Sequence, residues 1–122
     1  MELSKSTEDY IEAIYMIEKE NGIIKSINIA NRLGVSKPAV NRAMNELINM
    51  DLISKPNYSD IVFTEKGRKV AEEVYNKHIL IHDFLISLGV SEEIAEIDCC
   101  KIEHVISDET LKCIKKRLES TL

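Results

Sequence analysis

The chain has 122 residues, 44% of them hydrophobic, with four glycines, two prolines, three cysteines and a formal net charge of −5. That length supports one compact domain or two small units sharing a core; so few Gly and Pro leave little room for long linkers, and no internal repeat is visible. No apolar run is long enough to span a bilayer and no basic-then-apolar export signal opens the chain, so a cytoplasmic protein with reduced thiols is expected rather than a disulfide framework.

The acidic total argues against nucleic acid, but its distribution does not. Residues 25–70 hold eight Lys/Arg against four Asp/Glu, a net of +4, and the remainder carries −9. A basic middle between acidic ends suits a DNA-contacting module on an acidic sensing or oligomerising body.

In chain order, Ser6-Thr7-Glu8-Asp9 reads as a hydroxyl cap followed by acids, and Ile11, Ile14, Tyr15 and Ile17 continue as an apolar stripe to Asn21-Gly22. Asp9 and Glu12 share another face of this helix, either as ligands or simply as acids favouring a helix N-terminus. Ile23 to Lys25 fits a short strand or turn. Ser26 is placed as the cap of a compact helix, Ile27 to Leu33, and Gly34-Val35-Ser36 is a tight turn. Ser36 caps a second helix with Pro38 in its first turn and Val40, Met44, Leu47 and Ile48 at helical spacing to about Met50. Two short helices joined by a glycine turn form either a helix-turn-helix or a solvated hairpin. The polar face Ser36, Lys37, Asn41, Arg42 and Asn45 can contact phosphates or read base edges.

The next stretch favours the first option. Leu52 to Lys55, Pro56 to Ser59, and Asp60 to Phe63 read as strand, turn and strand, the wing of a winged helix, with Lys55 and Tyr58 on or near it. Thr64-Glu65 restarts a helix that runs to about Leu88, with His78 and His82 one turn apart as ligands or as packed core residues. Gly89 ends it, and Ser91-Glu92-Glu93 opens another. There Cys100, Glu103 and His104 fall at i, i+3 and i+4, so that thiol, carboxylate and imidazole share one face if the helix is continuous. Ser107-Asp108-Glu109 caps a last helix striped by Leu111, Ile114 and Leu118; Lys112, Lys115, Lys116 and Arg117 form a solvated face, and Cys113 a small packed residue. Three separate helices thus each offer ligand types for a divalent transition metal. The expected fold class is mostly α with a small β-hairpin: a winged helix-turn-helix DNA-binding domain over 1–70, then a helical metal-binding domain over 71–122 suited to sensing or oligomerisation.

These residues carry a resemblance. Thr7-Glu8-Asp9-Tyr10-Ile11-Glu12-Ala13-Ile14-Tyr15 resembles the opening of the diphtheria toxin repressor family, including its manganese-transport-regulator branch. Ile29-Ala30 through Val35-Ser36-Lys37-Pro38-Ala39-Val40 resembles that family's helix-turn-helix, and Phe63-Thr64-Glu65-Lys66-Gly67 its wing exit. Ile102-Glu103-His104-Val105-Ile106-Ser107-Asp108-Glu109 is similar to its metal and dimer helix. The resemblance covers the family's first two domains nearly end to end; nothing corresponds to the SH3-like domain of the iron-responsive branch.

The resemblance implies a metal-activated homodimeric repressor with two metal positions per subunit. Asp9, Cys100, Glu103 and His104 match the primary site. Asp9 is the manganese-branch choice, where the iron branch has Met; Cys100 is the iron-branch choice, where the manganese branch has a carboxylate. For the second position, Glu12 and His78 match the manganese branch, although Cys100 replaces the carboxylate that helps hold both ions there. Alternatively, His78, His82 and Glu96 match the ancillary positions of the iron branch, with the last two residue types exchanged. The mixed set points to Fe2+ or Mn2+, with Zn2+, Co2+ or Ni2+ binding in vitro.

The expected partners are a double-stranded DNA operator, contacted by Ser36, Lys37, Pro38, Ala39, Asn41, Arg42, Lys55 and Tyr58, and a second copy joined through the C-terminal helices. No membrane and no small organic substrate are expected. A competing reading is a winged-helix regulator with a non-metal effector, in which alanine at Glu103 or His104 leaves DNA binding insensitive to chelator. A hydrolase built on Cys100, Glu103 and His104 would need an open metal position and a general base, and the chain offers no substrate loop for it, so no enzyme is expected.

Overall fold

The computed structural model describes residues 3–56 and 60–120. It separates into two units, Met1–Val74 and Tyr75–Leu122. The expected boundary lay at 70/71; both positions fall inside one unbroken helix, which leaves no linker to mark the division.

In the N-terminal unit, α1 spans Lys5–Asn21, capped by Ser4, whose side chain accepts from the Thr7 amide at 3.1 Å. The cap is therefore two residues earlier than Ser6, which lies in the first turn. The helix-turn-helix is α2 (Ser26–Leu33) and α3 (Lys37–Asn49). Ser26 is the first residue of α2 rather than its cap; Lys25 holds the cap position without a side-chain hydrogen bond. Gly34 exits α2 at φ 66°, a left-handed conformation that glycine adopts without steric cost. Ser36 then caps α3 by accepting from the Ala39 amide at 3.3 Å, and Pro38 sits in the first turn where no amide is needed.

The wing is β1 (Ile53–Ser54) paired antiparallel with β2 (Val62–Phe63), Ile53 opposite Phe63. It is narrower than the expected strands because the chain enters it directly from α3: the Leu52 amide donates to Leu47 O at 3.0 Å. A bridge between Ile24 and Ile61 lays the 23–25 segment along the hairpin. The wing tip, residues 57–59, lies outside the described residues, and with it Tyr58. α4 spans Glu65–Ser87. Thr64 anchors its start: its hydroxyl donates to Asp51 O at 2.6 Å and accepts from the Gly67 amide at 2.9 Å. A Cβ on Gly67 would overlap the Leu52 carbonyl, so this helix comes onto the chain before the wing at backbone contact. Ile11, Ile14, Ile29, Val40, Leu47 and Leu52 form the apolar core between these elements. Arg68 of α4 clasps Glu18 of α1 with two hydrogen bonds of 2.9 and 2.8 Å.

The C-terminal unit comprises the rest of α4, α5 (Glu92–Ile102) and α6 (Asp108–Ser120). Ser91 and Ser107 cap α5 and α6 by accepting from the Ile94 and Thr110 amides. Among the described residues of this unit only His78, Ile81, Ala95, Cys99 and Glu103 are buried, and α6 buries none.

Candidate metal centre and nucleic-acid face

The two faces of α3 are sharply different. Val40, Ala43, Met44 and Leu47 point inward at helical spacing and are buried. On the opposite side Ser36, Lys37, Pro38, Asn41, Arg42 and Asn45 are exposed, with Ala39 half-buried at the edge. The side chains of Lys37, Asn41, Arg42 and Asn45 make no hydrogen bond or ion pair among the described residues, so their donors and acceptors are available to a ligand. Lys55 is exposed at the end of β1.

The C-terminal unit is built around a buried imidazole. His78, on α4, is 6% exposed; its Nδ1 lies 2.9 Å from Glu103 Oε2 and its Nε2 3.1 Å from Glu96 Oε1. Glu103 is itself only 2% exposed, and His104 Nε2 stands 3.6 Å from its other oxygen. Burying a carboxylate so completely is costly without a cationic partner.

α5 stops one residue before Glu103. Val105 and Ile106 both donate to Ile102 O at 3.0 Å, which turns the chain toward the Ser107 cap. Glu103 and His104 therefore lie just past the last residue of α5 rather than within a continuous 98–104 helix. Glu103 keeps right-handed helical dihedrals, φ −58° and ψ −24°, and its amide still bonds to Cys99 O, which preserves its inward direction.

The inward thiol at this level is that of Cys99. Its Sγ is 3.6 Å from each ring nitrogen of His78, whereas Cys100 Sγ, on the flank of the helix, is 4.0 Å from Nδ1. Burial pushes the Cys99 thiol up to about 12, with Cys100, Glu96 and Glu103 adding in the same direction. Cys113 is exposed, contrary to its expected packed role, because α6 offers no buried face among the described residues.

His82, one turn after His78, meets different partners: Nε2 is 2.8 Å from Glu92 Oε1 and Nδ1 3.2 Å from Asp83 Oδ1. Hydrogen bonds accepted by Asp83 first and Glu92 second raise its pKa. Glu96 belongs to both neighbourhoods, having an oxygen within 4.8 Å of ligand atoms on His78, Cys99 and Cys100 and of those on His82 and Glu92. Asp9 and Glu12 lie one turn apart and half-buried on α1 of the N-terminal unit.

Two contributors escape the reading of the sequence, Cys99 and Glu92. Their signal is the stripe Glu92, Glu96, Cys99, Glu103, whose steps of four, three and four residues mark one side of a helix. Imidazole, carboxylate and thiol collected in one neighbourhood make a donor set that fits a divalent transition metal.

A winged helix-turn-helix with an uncommitted α3 face, followed by a helical unit rich in metal donors, defines a DNA-binding protein with a ligand-sensing body. More particularly, the chain belongs to the iron dependent repressor family: the family's N-terminal DNA binding domain matches residues 2–61, and its metal binding and dimerisation domain matches residues 64–121. It is 37% identical over 108 residues to the transcriptional regulator MntR of Escherichia coli O157:H7, covering 88% of this chain and 70% of that one. It is also 37% identical, over 96% of this chain and 95% of the other, to an uncharacterized helix-turn-helix-type transcriptional regulator of Methanocaldococcus jannaschii. Among solved structures, the manganese regulator SloR superposes with a TM-score of 0.80 at 31% identity, over 98% of this chain and 55% of that chain. The metal-dependent transcriptional regulator MtsR superposes with a TM-score of 0.85 at 30% identity, over 93% and 53%. The chain thus spans about half the length of these two solved relatives.

Proposed function

We propose that the protein is a metal-activated transcriptional repressor, a cytoplasmic homodimer that binds a double-stranded operator through α3 and the wing. The observation that carries this reading is the buried pair of Glu103 and His78, a carboxylate and an imidazole withdrawn from water beside further donors. The relatives named for manganese or metal dependence support the same choice.

In this reading Asp9 of α1 joins Cys100, Glu103 and His104 in the primary site, and either Glu12 with His78, or His78 with His82 and Glu96, holds a second ion. A bound divalent ion supplies the positive charge that offsets these acids and thiolate. Asp9 and Glu12 belong to the unit that carries α3, while Cys100, Glu103 and His104 belong to the other. Without compensation their like charges repel. Holding the two units in one arrangement fixes the spacing of the two recognition helices of a dimer against half-sites one or more helical turns apart. The arrangement is biased only by differential affinity, so metal and DNA must strengthen each other's binding reciprocally. The half-exposed stripe Leu111, Ile114 and Leu118 on α6 is the apolar surface proposed to meet the second copy.

Cys100 favours Fe(II) and the harder Asp9 and Glu12 favour Mn(II); Fe(II) is the first choice, and availability in the cell rather than raw affinity decides. The test is binding to DNA upstream of the protein's own coding sequence across a metal series with chelator. Activation by Fe(II) or Mn(II), reversed by chelator, is expected. Glu103→Gln should weaken metal activation by more than the roughly 10–100-fold typical of an outer-shell partner, and Cys100→Glu should move the preference toward Mn(II). Chelator-insensitive binding by the parent chain would overturn the proposal in favour of a non-metal effector.

A further inference from the structure

We propose that Cys99, Cys100, His78 and Glu96 form a thiolate-rich site, wholly inside the C-terminal unit, for a thiophilic divalent ion such as Zn(II) or Cd(II). One donor atom from each of the four lies within 4.8 Å of the other three. A tetrahedral ion with bonds to sulfur of about 2.3 Å and to nitrogen of about 2.0 Å separates those ligands by roughly 3.5 to 3.8 Å. The observed separations from His78 Nε2, 3.6 Å to Cys99 Sγ and 3.1 Å to Glu96 Oε1, lie close to such ligand spacings, and Cys100 Sγ is 4.0 Å from the ring. Glu96 Oε1 provides the oxygen on the Nε2 side, while Nδ1 keeps Glu103 Oε2 at 2.9 Å as the carboxylate that orients the ring.

This set is distinct from the one proposed above. It takes nothing from α1, and it uses Cys99, which has no part there. Cys99 is completely buried and Cys100 half-buried, so the site has one sulfur inside and one at the rim, where an ion can enter. Two sulfur ligands shift selectivity toward soft and borderline ions and away from Mn(II), which prefers oxygen. On binding, two S–H bonds are exchanged for two sulfur–metal bonds, the coordinating nitrogen of His78 gives up any proton it carries, these protons pass to solvent, and no oxidation state changes. Cys100 and His78 are common to both ligand sets, so an ion seated here removes them from the activating arrangement. That consequence, antagonism by Zn(II) or Cd(II), rests on the repressor reading; the site itself does not.

The test uses the full-length, reduced, metal-free chain, titrated with Co(II) and Cd(II) and followed by thiolate-to-metal charge-transfer absorption. The parent chain is expected to show a band of two-thiolate intensity. Cys99→Ala and Cys100→Ser should each lower it to about half and weaken Cd(II) binding at least about tenfold, while Cys113→Ser leaves it unchanged. Zinc-edge X-ray absorption on the unmodified chain, which depends on no variant, should count two sulfur ligands. A full-intensity band in folded Cys99→Ala, or one sulfur or none at the zinc, would overturn the site while leaving metal-activated DNA binding intact. Conversely, a two-thiolate band in a chain whose DNA binding ignores Fe(II), Mn(II) and chelator would support the site and sink the repressor reading. Where both hold, Cd(II) should inhibit Mn(II)-supported DNA binding in the parent chain and not in Cys99→Ala.

Discussion

The two units bury different kinds of side chain. Residues 1–74 close over isoleucines, leucines and valines, with Ile11, Ile14, Ile29 and Val40 entirely removed from solvent. Among the described residues of 75–122, a histidine, a glutamate and a cysteine are buried with Ile81 and Ala95 as the apolar remainder, while Ile79, Ile86, Leu88, Ile94, Ile97 and Val105 stay exposed. Each fully buried aliphatic side chain stabilises by about 1.5–3 kcal/mol, so the first unit holds itself together. The second invests its interior in polar groups whose desolvation must be offset by partners. Its remaining stability must come from what binds its donors and covers its exposed apolar side chains. A reading head is thus rigid by construction, and a sensing body is conditional by construction.

The largest expected effect that tests this contrast is Gly67→Ala. The added Cβ has nowhere to go against the Leu52 backbone, and a loss of about 3 kcal/mol or more is expected, measured by urea denaturation of the full chain. A loss below about 1 kcal/mol would show that the α4 contact is softer than the rest of the head.

Next comes a matched pair. Ile14→Ala should cost about 2–5 kcal/mol through the cavity it leaves. Ile114→Ala, on the half-exposed stripe of α6, should stay within about 0.5 kcal/mol in dilute monomer and instead weaken self-association in sedimentation. Equal costs to folding would erase the proposed difference between the units.

The smallest effect is electrostatic. In metal-free protein the pKa of His82 is raised by Asp83 and Glu92. A raised folded-state value means that this stabilisation is complete below the unfolded value of about 6.5 and fades as pH rises through the folded one. His82→Ala should flatten the pH dependence of stability in that window, read by thermal unfolding with chelator present; an unchanged slope would show that the two acids do not stabilise the ring.

The winged helix was legible because its signals are local. The Ser36 cap, Pro38, the Gly34 turn and the inward spacing of Val40, Met44 and Leu47 all act within a few residues, and the 53–63 hairpin follows directly. Helix starts were less exact: Ser4 outcompetes Ser6 because either hydroxyl can cap, and only the preceding chain decides which adopts the extended backbone. Residue chemistry in the C-terminal unit was equally plain, since thiols, imidazoles and carboxylates announce themselves.

Which of those groups meet was beyond the sequence. His78 and His82 share one helix face by spacing, yet one is enclosed by Glu103 and Glu96 while the other pairs with Asp83 and Glu92. Cys99 and Cys100 are adjacent, and the choice of which turns inward depends on how α5 rotates against α4. Composition and short-range periodicity determined the elements, the basic reading head and the inventory of donors. The rotation of helices about their own axes, set by side-chain packing between segments some twenty residues apart, decided which donors share a neighbourhood.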